Sequence, residues 1–346
     1  MGALPLPTTR VALVGLDSFY FAQTLAARLR GMPEVVPAGC CTVGVPEPEI
    51  AANCGEPPEA FASRHRLTLH RDLDALVAAE RPDAAVVTTR PSRAGSIAAT
   101  LAARGVHVYL VKPGVLNVAD AEALRDAARR GGVCVAAGLT ARLHPSVAAA
   151  AHQVLGGEIG RPVALRVAHQ HGHLSAWAPG CWYREPREGG PAMFLGWYVV
   201  DLAQWLTGSP LQEVRGVAAR LVDLDSPFPD FYKAVGRLAS GALVALEVHF
   251  GVRYPWSSFE VEVVGETGAV TASDHAWTGR VSVAGSMRPL TSPGPDLETA
   301  ELRDWLAACA QPGRQPFFGA DDLVATVRGC RMFAEGTGAT LPPRST

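Results

Sequence analysis

The stretch that decides the fold is Arg10–Ala22, which reads RVALVGLDSFYFA. An apolar, β-branched run ends at Gly15 and leads through a turn into a helical pattern. A strand, a glycine-led turn and a helix in this order begin a dinucleotide-binding unit. The usual turn carries three glycines, whereas here Asp17 holds the second position and Tyr20 the third. The stretch therefore predicts the fold of such a unit and leaves open how its turn would contact phosphate.

Short apolar runs continue to alternate with helical periodicity as far as residue 140, in the order VALVG, VVPAGCCTV, DAAVVTT, VHVYLVKPG and VCVAAGL. Such alternation predicts a parallel, doubly wound sheet. Beyond His144 strand-like runs follow one another across tight glycine turns, which is typical of an antiparallel sheet. We therefore predict an α/β protein with a dinucleotide-binding Rossmann domain at residues 1–140. A second α/β domain with a large, mostly antiparallel open sheet follows at residues 141–346, and its C-terminal helices are able to pack back on the first domain.

The composition narrows the class of protein. The chain has 346 residues and a formal net charge of -2, which favours two domains and small-molecule chemistry and gives no basic face for nucleic acid. No stretch approaches the roughly 20 apolar residues of a membrane span, and the N-terminus lacks the apolar segment of a signal peptide. Seven cysteines without a CxxC pair suit reduced thiols. We expect a cytoplasmic protein with neither a membrane partner nor a nucleic-acid partner.

Five stretches carry a resemblance to a known family: TTRPSRAG, LAARGVHVYLVKPG, GLTARLHPS, GGPAMFLGWYVVDLAQWLTG and FYKAVGRLASGALVALEVHF. Their series resembles the glucose-fructose oxidoreductase and inositol dehydrogenase family (Gfo/Idh/MocA) along almost the whole chain. GVHVYLVKPG is similar to the family's GKHVLVEKP. The resemblance implies a Rossmann domain followed by a substrate-binding and oligomerisation domain, whose open sheet often makes the interface of a homodimer or homotetramer. It also implies hydride transfer between NAD(P) and a hydroxyl-bearing carbon of a sugar or cyclitol.

Lys112 stands where the family has its catalytic Lys, at the end of a strand and before Pro113. Only Lys112 and Lys233 are lysines among the 31 basic residues, and an ammonium can lose its proton where a guanidinium cannot. At the end of a parallel strand the ammonium could hydrogen-bond the reacting oxygen. The residue before it is Val111, where the family has Glu. The resemblance also suggests a cis Lys112–Pro113 bond, and X-Pro is the bond where cis costs as little as roughly 0.5–1 kcal/mol.

A second predicted catalytic group lies on the helix around Gly196, where Phe194, Tyr198, Asp201 and Trp205 form one stripe. Asp201 matches the family's later Asp, which puts Tyr198 at its His position and Phe194 at its earlier Asp position. A Tyr there is similar to the glucose-fructose oxidoreductase branch, in which the phenol is the proton donor. A phenol of pKa ~10 can serve if a cation lowers that pKa. We therefore predict that Tyr198 meets the catalytic Lys across the domain cleft, with Asp201 as a third catalytic residue. A stripe that packs the domain interface is the alternative.

Three histidines alternate in AHQHGHL, so His169, His171 and His173 share one face of a strand. Three imidazoles can hold zinc, but ligands at i, i+2 and i+4 on a flat strand rarely converge on one ion, and we predict no metal. His173, Trp182 and Arg184 are the predicted substrate-binding residues. Arg184 could instead cover the surface.

The cofactor is expected across the end of the N-terminal sheet, as NAD or NADP with the preference open. The predicted cofactor-binding residues are Gly15, Asp17, Ser18, Phe19, Thr42, Thr89, Arg90, Pro91, Lys112 and Pro113. Asp17 would bring negative charge to the place where backbone normally approaches the pyrophosphate, unless Asp17 or Ser18 caps the next helix. Thr42 stands near the place where NAD enzymes carry an acid for the ribose, and no Arg follows it for the NADP phosphate.

Two functions fit these residues. The first is an NAD(P)-dependent dehydrogenase or reductase that acts on a CH–OH group of a polyol or sugar-like molecule, with Lys112 and Tyr198 as its acid–base pair. The second is a catalytically degenerate family member that binds ligand or cofactor as a sensor or scaffold. The retained Lys112 favours the first, which we expect, and the altered glycine turn favours the second. An eliminase or hydrolase with a transient redox step would need the same Lys.

Overall fold

The computed structural model describes residues 6–18, 21–171, 181–250, 257–275, 278–283, 286–290 and 296–339. The chain divides into two compact units. One unit comprises Met1–Gly138 and Glu301–Val324, and the other comprises Leu139–Ala300 and Ala325–Thr346. Within the described residues every helix is too short or too polar to span a bilayer.

The first unit is built on a six-stranded parallel sheet. Its strands are β1 (Thr9–Val14), β2 (Val35–Cys41), β3 (Leu69–His70), β4 (Ala84–Val87), β5 (His107–Leu110) and β6 (Val135–Ala137). They lie in the order β3-β2-β1-β4-β5-β6, and every pairing is parallel. The apolar runs form strands because both faces of the sheet are buried, and β4 is buried along its whole length. The predicted doubly wound parallel sheet is confirmed, and its strand order reverses between β1 and β4, where such sheets bind ligands.

Six helices connect these strands: α1 (Phe21–Gly31), α2 (Glu47–Cys54), α3 (Pro58–His65), α4 (Leu73–Glu80), α5 (Pro91–Ala103) and α6 (Val118–Gly131). Local sequence sets their ends. The side chains of Asp72 and Asn117 accept hydrogen bonds from the first turns of α4 and α6. Proline opens α2, α3 and α5, where its missing N–H costs nothing. Gly132 ends α6 in the left-handed conformation.

The second unit is built on an eight-stranded sheet. Its strands are β7 (Pro162–His171), β8 (Leu211–Ala219), β9 (Phe231–Leu238), β10 (Leu243–Phe250), β11 (Ser257–Gly265), β12 (Ala269–His275), β13 (Thr278–Val283) and β14 (Ser286–Leu290). Their order is β14-β13-β12-β11-β7-β10-β9-β8, and the pair β7–β10 is parallel while the other pairs are antiparallel. The predicted mostly antiparallel sheet is confirmed. The sequence patterns did not indicate β13 and β14.

Three α-helices within the described residues belong wholly to the second unit: α7 (Pro145–Leu155), α8 (Gly190–Phe194) and α9 (Gly196–Thr207). The prediction of one continuous helix from α8 through α9 is wrong, because the helix is interrupted at Leu195. The Tyr198 amide donates to the Leu195 carbonyl, so a new helix starts there. A side chain at Gly196 would lie 3.1 Å from the Phe333 ring, and glycine allows α9 to begin against that ring.

Two C-terminal helices, α10 (Leu297–Ala310) and α11 (Ala320–Gly336), contribute residues to both units. Leu302, Trp305 and Leu306 of α10 belong to the same buried core as β1 and α1 of the first unit. The Tyr109 hydroxyl of β5 donates a 2.7 Å hydrogen bond to the Glu301 carboxylate. The first unit is therefore completed by residues from near the end of the chain.

Side chains alternate across the sheet of the second unit. On β10, Val244 and Leu246 are buried, whereas Leu243 on the opposite face is half exposed. The same outward face carries Val217 of β8 and Val235 of β9, which are 71% and 66% exposed. This open face thus presents large apolar side chains.

Candidate functional site

The glycine turn after β1 lies directly against the turn after β4. Gly15 has a φ of 77°, and a Cβ at this position would clash with the side chain of Thr89. The Ser18 amide donates a 3.1 Å hydrogen bond to the Thr88 carbonyl, and the Thr88 hydroxyl donates to the Gly15 carbonyl. Glycine is needed at this one position for both its backbone conformation and its close approach.

Asp17 turns its side chain toward the β4–α5 turn and is fully buried there. Its Oδ1 accepts a 2.6 Å hydrogen bond from the Thr89 hydroxyl, and its Oδ2 lies 3.2 Å from Arg93 Nη1 and 3.6 Å from Arg90 Nε. Burial raises the pKa of the Asp17 carboxyl above its ordinary value, while the Thr89 hydroxyl and the two guanidinium groups act in the opposite direction. Asp17 therefore contacts the β4–α5 turn and the first turn of α5 with its side chain.

Glu49 of α2 completes this cluster. Its Oε1 lies 3.0 Å from Arg90 Nε and 3.1 Å from Arg93 Nη2. We call Asp17, Glu49, Arg90 and Arg93 the switch-point network, because it lies where the strand order reverses. Two carboxylates and two guanidinium groups make it formally neutral. Arg90 is buried, whereas a third of the Arg93 side chain is exposed.

The sequence reasoning named Asp17 and Arg90 but missed Arg93 and Glu49. A local signal for Arg93 existed, because residues three apart on a helix share a face and Arg93 follows Arg90 by three positions. Nothing local pointed to Glu49, which reaches this place from another helix. Gly15, Asp17, Ser18, Thr89, Arg90 and Pro91, all predicted cofactor-binding residues, lie together at this edge of the sheet. Phe19 lies outside the described residues.

Thr42 follows β2 and is buried. Its hydroxyl donates to the Arg71 carbonyl at 3.3 Å, so this side chain is engaged within the first unit. Val43 and Gly44 then adopt φ values of 48° and 73°, and the Val45 amide closes the turn on the Thr42 carbonyl at 3.0 Å. A β-branched residue in the left-handed region is strained, at a cost on the order of 1–3 kcal/mol.

Lys112 follows β5 at the same edge of the parallel sheet. The Lys112–Pro113 peptide bond is cis, which confirms that prediction. The residue is partly exposed as a whole, but its ammonium group lies in surroundings that exclude most water. This desolvation lowers the pKa of the ammonium to about 8. An amine with that pKa can hold or release a proton near neutral pH.

Asp201 lies in a buried cluster of the second unit. Both carboxylate oxygens accept from Arg142, at 2.8 Å from Nε and 2.6 Å from Nη2, and the Thr326 hydroxyl donates to Oδ1 at 3.1 Å. The Arg142 guanidinium lies 5.2 Å from the centre of the Trp205 ring. A carboxylate held in this way ties α9 to the short helical turn Thr140–Leu143. The catalytic role of Asp201 stays a prediction.

Tyr198 lies among aromatic rings of the second unit. Its ring centre is 4.8 Å from His169 and 5.4 Å from Phe259, and His169 stacks on Phe259 at 4.2 Å. His171 shares the strand face of His169, as predicted, with their ring centres 5.7 Å apart. Within the described residues no group of three or more His, Cys, Asp or Glu side chains is arranged to hold a metal ion. His173 lies outside the described residues.

The predicted stripe is divided between two helices. Phe194 of α8 packs 4.5 Å from the Tyr183 ring, which stacks on Trp182 at 4.1 Å, both buried. Arg184 donates a 2.9 Å hydrogen bond to Asp223. The substrate contacts of Trp182 and Arg184 stay predictions. So does the meeting of Lys112 with Tyr198, because these residues belong to different units.

Two models of known protein families match this chain, one in its N-terminal part and one in its C-terminal part. The family model described as "Oxidoreductase family, NAD-binding Rossmann fold" matches residues 9–139, and "GFO/IDH/MocA C-terminal domain" matches residues 147–271. A protein from Amycolatopsis mediterranei (strain S699), named as an oxidoreductase subunit of UDP-kanosamine synthase, is 34% identical over 165 residues. That match covers 46% of this chain and 44% of the relative, so it spans less than half of that protein.

Two further relatives match over most of the chain. The scyllo-inositol 2-dehydrogenase (NAD(+)) of Bacillus subtilis (strain 168) is 25% identical over 262 residues, covering 71% of this chain and 72% of that protein. The structure of UDP-N-acetylglucosamine 3-dehydrogenase GnnA from Acidithiobacillus ferrooxidans is 20% identical, with a TM-score of 0.76, and covers 95% and 98% of the two chains. This last likeness shows the fold. Because both domain models of one family match in order along the sequence, this chain belongs to the Gfo/Idh/MocA family of oxidoreductases, with an NAD-binding Rossmann fold as its N-terminal domain.

Proposed function

We propose that this chain is an NAD(P)-dependent dehydrogenase or reductase that acts on a hydroxyl- or carbonyl-bearing carbon of a sugar, cyclitol or related small molecule. One observation carries the proposal: Lys112 follows the end of β5 in the Rossmann sheet, with its pKa lowered to about 8. The names of the relatives, a scyllo-inositol dehydrogenase and two proteins of UDP-sugar chemistry, support a polyol or sugar-like substrate.

The residues at the switch point fit a dinucleotide. Gly15 packs so closely against Thr89 that a Cβ would clash there, and its positive φ gives the turn the shape of a dinucleotide-binding unit. The buried Asp17 carboxylate faces Arg90 and Arg93, so its charge is compensated and does not stand alone beside a pyrophosphate. Thr42 provides no acid for the ribose hydroxyls, which leaves the choice between NAD and NADP open.

The chemistry assigned to this chain is proton transfer and orientation. When bound, the nicotinamide supplies the acceptor or donor of the hydride. In alcohol oxidation the neutral Lys112 amine takes the proton as the substrate O–H bond breaks and a carbonyl forms; in reduction the ammonium returns that proton. The proposal gives Tyr198 the role of second proton donor beside Lys112, on the strength of the family resemblance.

A catalytically silent family member is the second candidate. The amides of Gly15 and Ser18 already donate to the carbonyls of Cys41 and Thr88, so two donors of the glycine turn are engaged within the protein. This favours weak cofactor binding without turnover, as in a sensor or scaffold.

A homo-oligomer and a cytoplasmic location complete the proposal. The open face of the second sheet exposes Val217, Val235 and Leu243, which a second copy could cover in a homodimer or homotetramer. All seven cysteines are free thiols, as suits a reducing compartment.

The deciding experiment is a calorimetric titration of the purified protein with NAD, NADH, NADP and NADPH. It is followed by a screen of polyols and nucleotide sugars for a change in nicotinamide absorbance. We expect binding of at least one dinucleotide and turnover of at least one substrate. Binding without turnover across the screen would favour the sensor. Absence of binding by all four forms would overturn the dehydrogenase and favour a scaffold that binds no nicotinamide dinucleotide.

A further inference from the structure

The turn after β1 lacks two of the three glycines that usually shape a dinucleotide-binding turn, with Asp17 and Tyr20 in their places. How the first unit would then hold a dinucleotide phosphate rests on the proposed function. In the usual turn, backbone amides of the glycine loop and of the helix after it contact the pyrophosphate. Here the Gly15 amide donates to the Cys41 carbonyl at 2.8 Å, and the Ser18 amide donates to the Thr88 carbonyl at 3.1 Å. These two amides are engaged within the protein, so a side-chain donor at this edge of the sheet would contribute to phosphate binding.

Arg93 is positioned to be that donor. Nη1 donates a 3.2 Å hydrogen bond to Asp17 Oδ2, and Nη2 lies 3.1 Å from Glu49 Oε1 as an ion pair, so two carboxylates on different elements hold the guanidinium in place. A guanidinium carries several N–H donors in one plane, and those contacts use only part of them among the described residues. A third of the side chain is exposed. The result is an oriented cation with an accessible edge at the strand-order reversal.

The charges of the switch-point network support the same role. Asp17 alone would repel a phosphate, but it is fully buried and faces Arg90 and Arg93. With Glu49 included, the formal charges cancel, and the most exposed charged group of the four is Arg93. Guanidinium groups bind phosphate in a bidentate manner and are only weakly hydrated.

We propose that Arg93 binds a phosphate group of the dinucleotide, and that Asp17 and Glu49 are the positioning residues that aim it. Two phosphates share this chemistry: the pyrophosphate, which NAD and NADP have in common, and the 2′-phosphate, which NADP alone carries. The alternative is a purely structural network, in which Arg93 only ties the β4–α5 turn to the glycine turn and to α2.

The test compares Arg93→Gln with Arg104→Gln, a matched change just beyond the other end of α5, where Arg104 pairs with Asp74. Each variant and the parent protein are titrated by calorimetry with ADP-ribose and with 2′-phospho-ADP-ribose at several salt concentrations. We expect Arg93→Gln to weaken binding on the order of tenfold or more and to reduce its salt dependence, while Arg104→Gln leaves both unchanged. Equal losses for the two ligands assign the pyrophosphate, and a loss confined to the second assigns the 2′-phosphate.

Positioning is tested through Glu49. We expect Glu49→Gln to weaken binding severalfold in the parent, and to have no further effect in the Arg93→Gln background, since its effect acts through Arg93. Arg93→Lys keeps the charge without the planar fork, so it should bind both ligands less tightly than the parent and more tightly than Arg93→Gln. The comparison of Arg93→Lys with the parent remains available if Arg93→Gln does not fold.

The inference and the proposed function fail in different ways. Parent-like binding of both ligands by folded Arg93→Gln, or by Arg93→Lys where Arg93→Gln does not fold, overturns the role of Arg93 and leaves the proposed function intact. Failure of the parent protein to bind either ligand or any nicotinamide dinucleotide overturns both.

Discussion

The Asp17 carboxylate accepts a 2.6 Å hydrogen bond from the Thr89 hydroxyl, and this contact joins the two turns at which the strand order of the first sheet reverses. The carboxylate is fully buried beside Arg90, whose own side chain is almost inaccessible to solvent. Removing one member of a buried ionic cluster leaves the others without their compensating charge.

We therefore expect Asp17→Ala to lower the free energy of unfolding by about 3 kcal/mol or more. Urea denaturation measures this change. Asp126→Ala is the control, because Asp126 is exposed beside Arg125 and its removal should matter little. A loss for Asp17→Ala no larger than for the control would show that the network is not important for stability.

Lys112 makes stability depend on pH in a defined direction. Its pKa is lowered by burial from 10.5 to about 8, so between these values the unfolded chain binds the proton that the folded chain has released. Stability from this group is therefore fully present above about pH 10.5 and is lost as the pH falls through about 8. Lys112→Met should raise the free energy of unfolding at neutral pH by no more than about 3 kcal/mol, and the gain should fade at alkaline pH. Urea denaturation across this pH range, with the exposed Lys233→Met as control, checks both the sign and the trend.

The proposed acid–base role of Lys112 can be tested separately, through the rate of catalysis. Lys112→Ala should lower kcat on the order of a hundredfold or more while cofactor affinity stays nearly unchanged, as expected for a lost acid–base group. The rate of alcohol oxidation should rise with pH through about 8, where the amine becomes neutral. Tyr198→Phe should cost less if Lys112 is the main proton carrier, and as much if the phenol is. Turnover by Lys112→Ala at the parent rate would leave this mechanism without support.

Arg142 and Asp201 form a buried bidentate pair, so a single substitution should be far more damaging than the removal of both charges. We expect Arg142→Ala to cost on the order of 3–5 kcal/mol, and Arg142→Met combined with Asp201→Leu to recover much of that loss. Thermal and urea unfolding of the variants and the double variant measure this coupling. Additive losses in the double variant would contradict it.

The exposed apolar side chains on the open face of the second sheet allow a test of the oligomeric state. Val235→Glu would place a charge among exposed apolar side chains and should shift an oligomer toward the 36.4 kDa monomer in light scattering. Leu155→Glu is the matched control, because Leu155 is also an exposed apolar residue but lies on α7, away from this sheet face. A parent protein that is monomeric at all working concentrations would contradict the proposed homo-oligomer.

The fold could be predicted from the sequence more completely than the candidate site, for physical reasons. A strand that is buried on both faces, such as Ala84–Val87, consists of apolar side chains. Such a run is visible in the local sequence, so it can be predicted. The pairing of Glu49 with Arg93 joins residues on separate helices, which no local pattern records. The sequence around Asp17 indicates a negative charge beside the pyrophosphate or a helix cap, because its compensating guanidinium groups come from Arg90 and Arg93, more than 70 residues later. The helical periodicity runs through Leu195, so the sequence pattern gives no sign of the break between α8 and α9.

The completion of the first unit by α10 has a consequence for synthesis. Leu302, Trp305 and Leu306 leave the ribosome after almost all of the second unit, so the six-stranded sheet made earlier waits with part of its core uncovered. In the second unit β7 must wait in the same way for β10 and β11. Pairings between distant segments slow folding and leave apolar surface exposed meanwhile. The N-terminal unit is thus among the first parts of this protein to be made and among the last to be finished, and a chain cut before Leu302 would carry it incomplete.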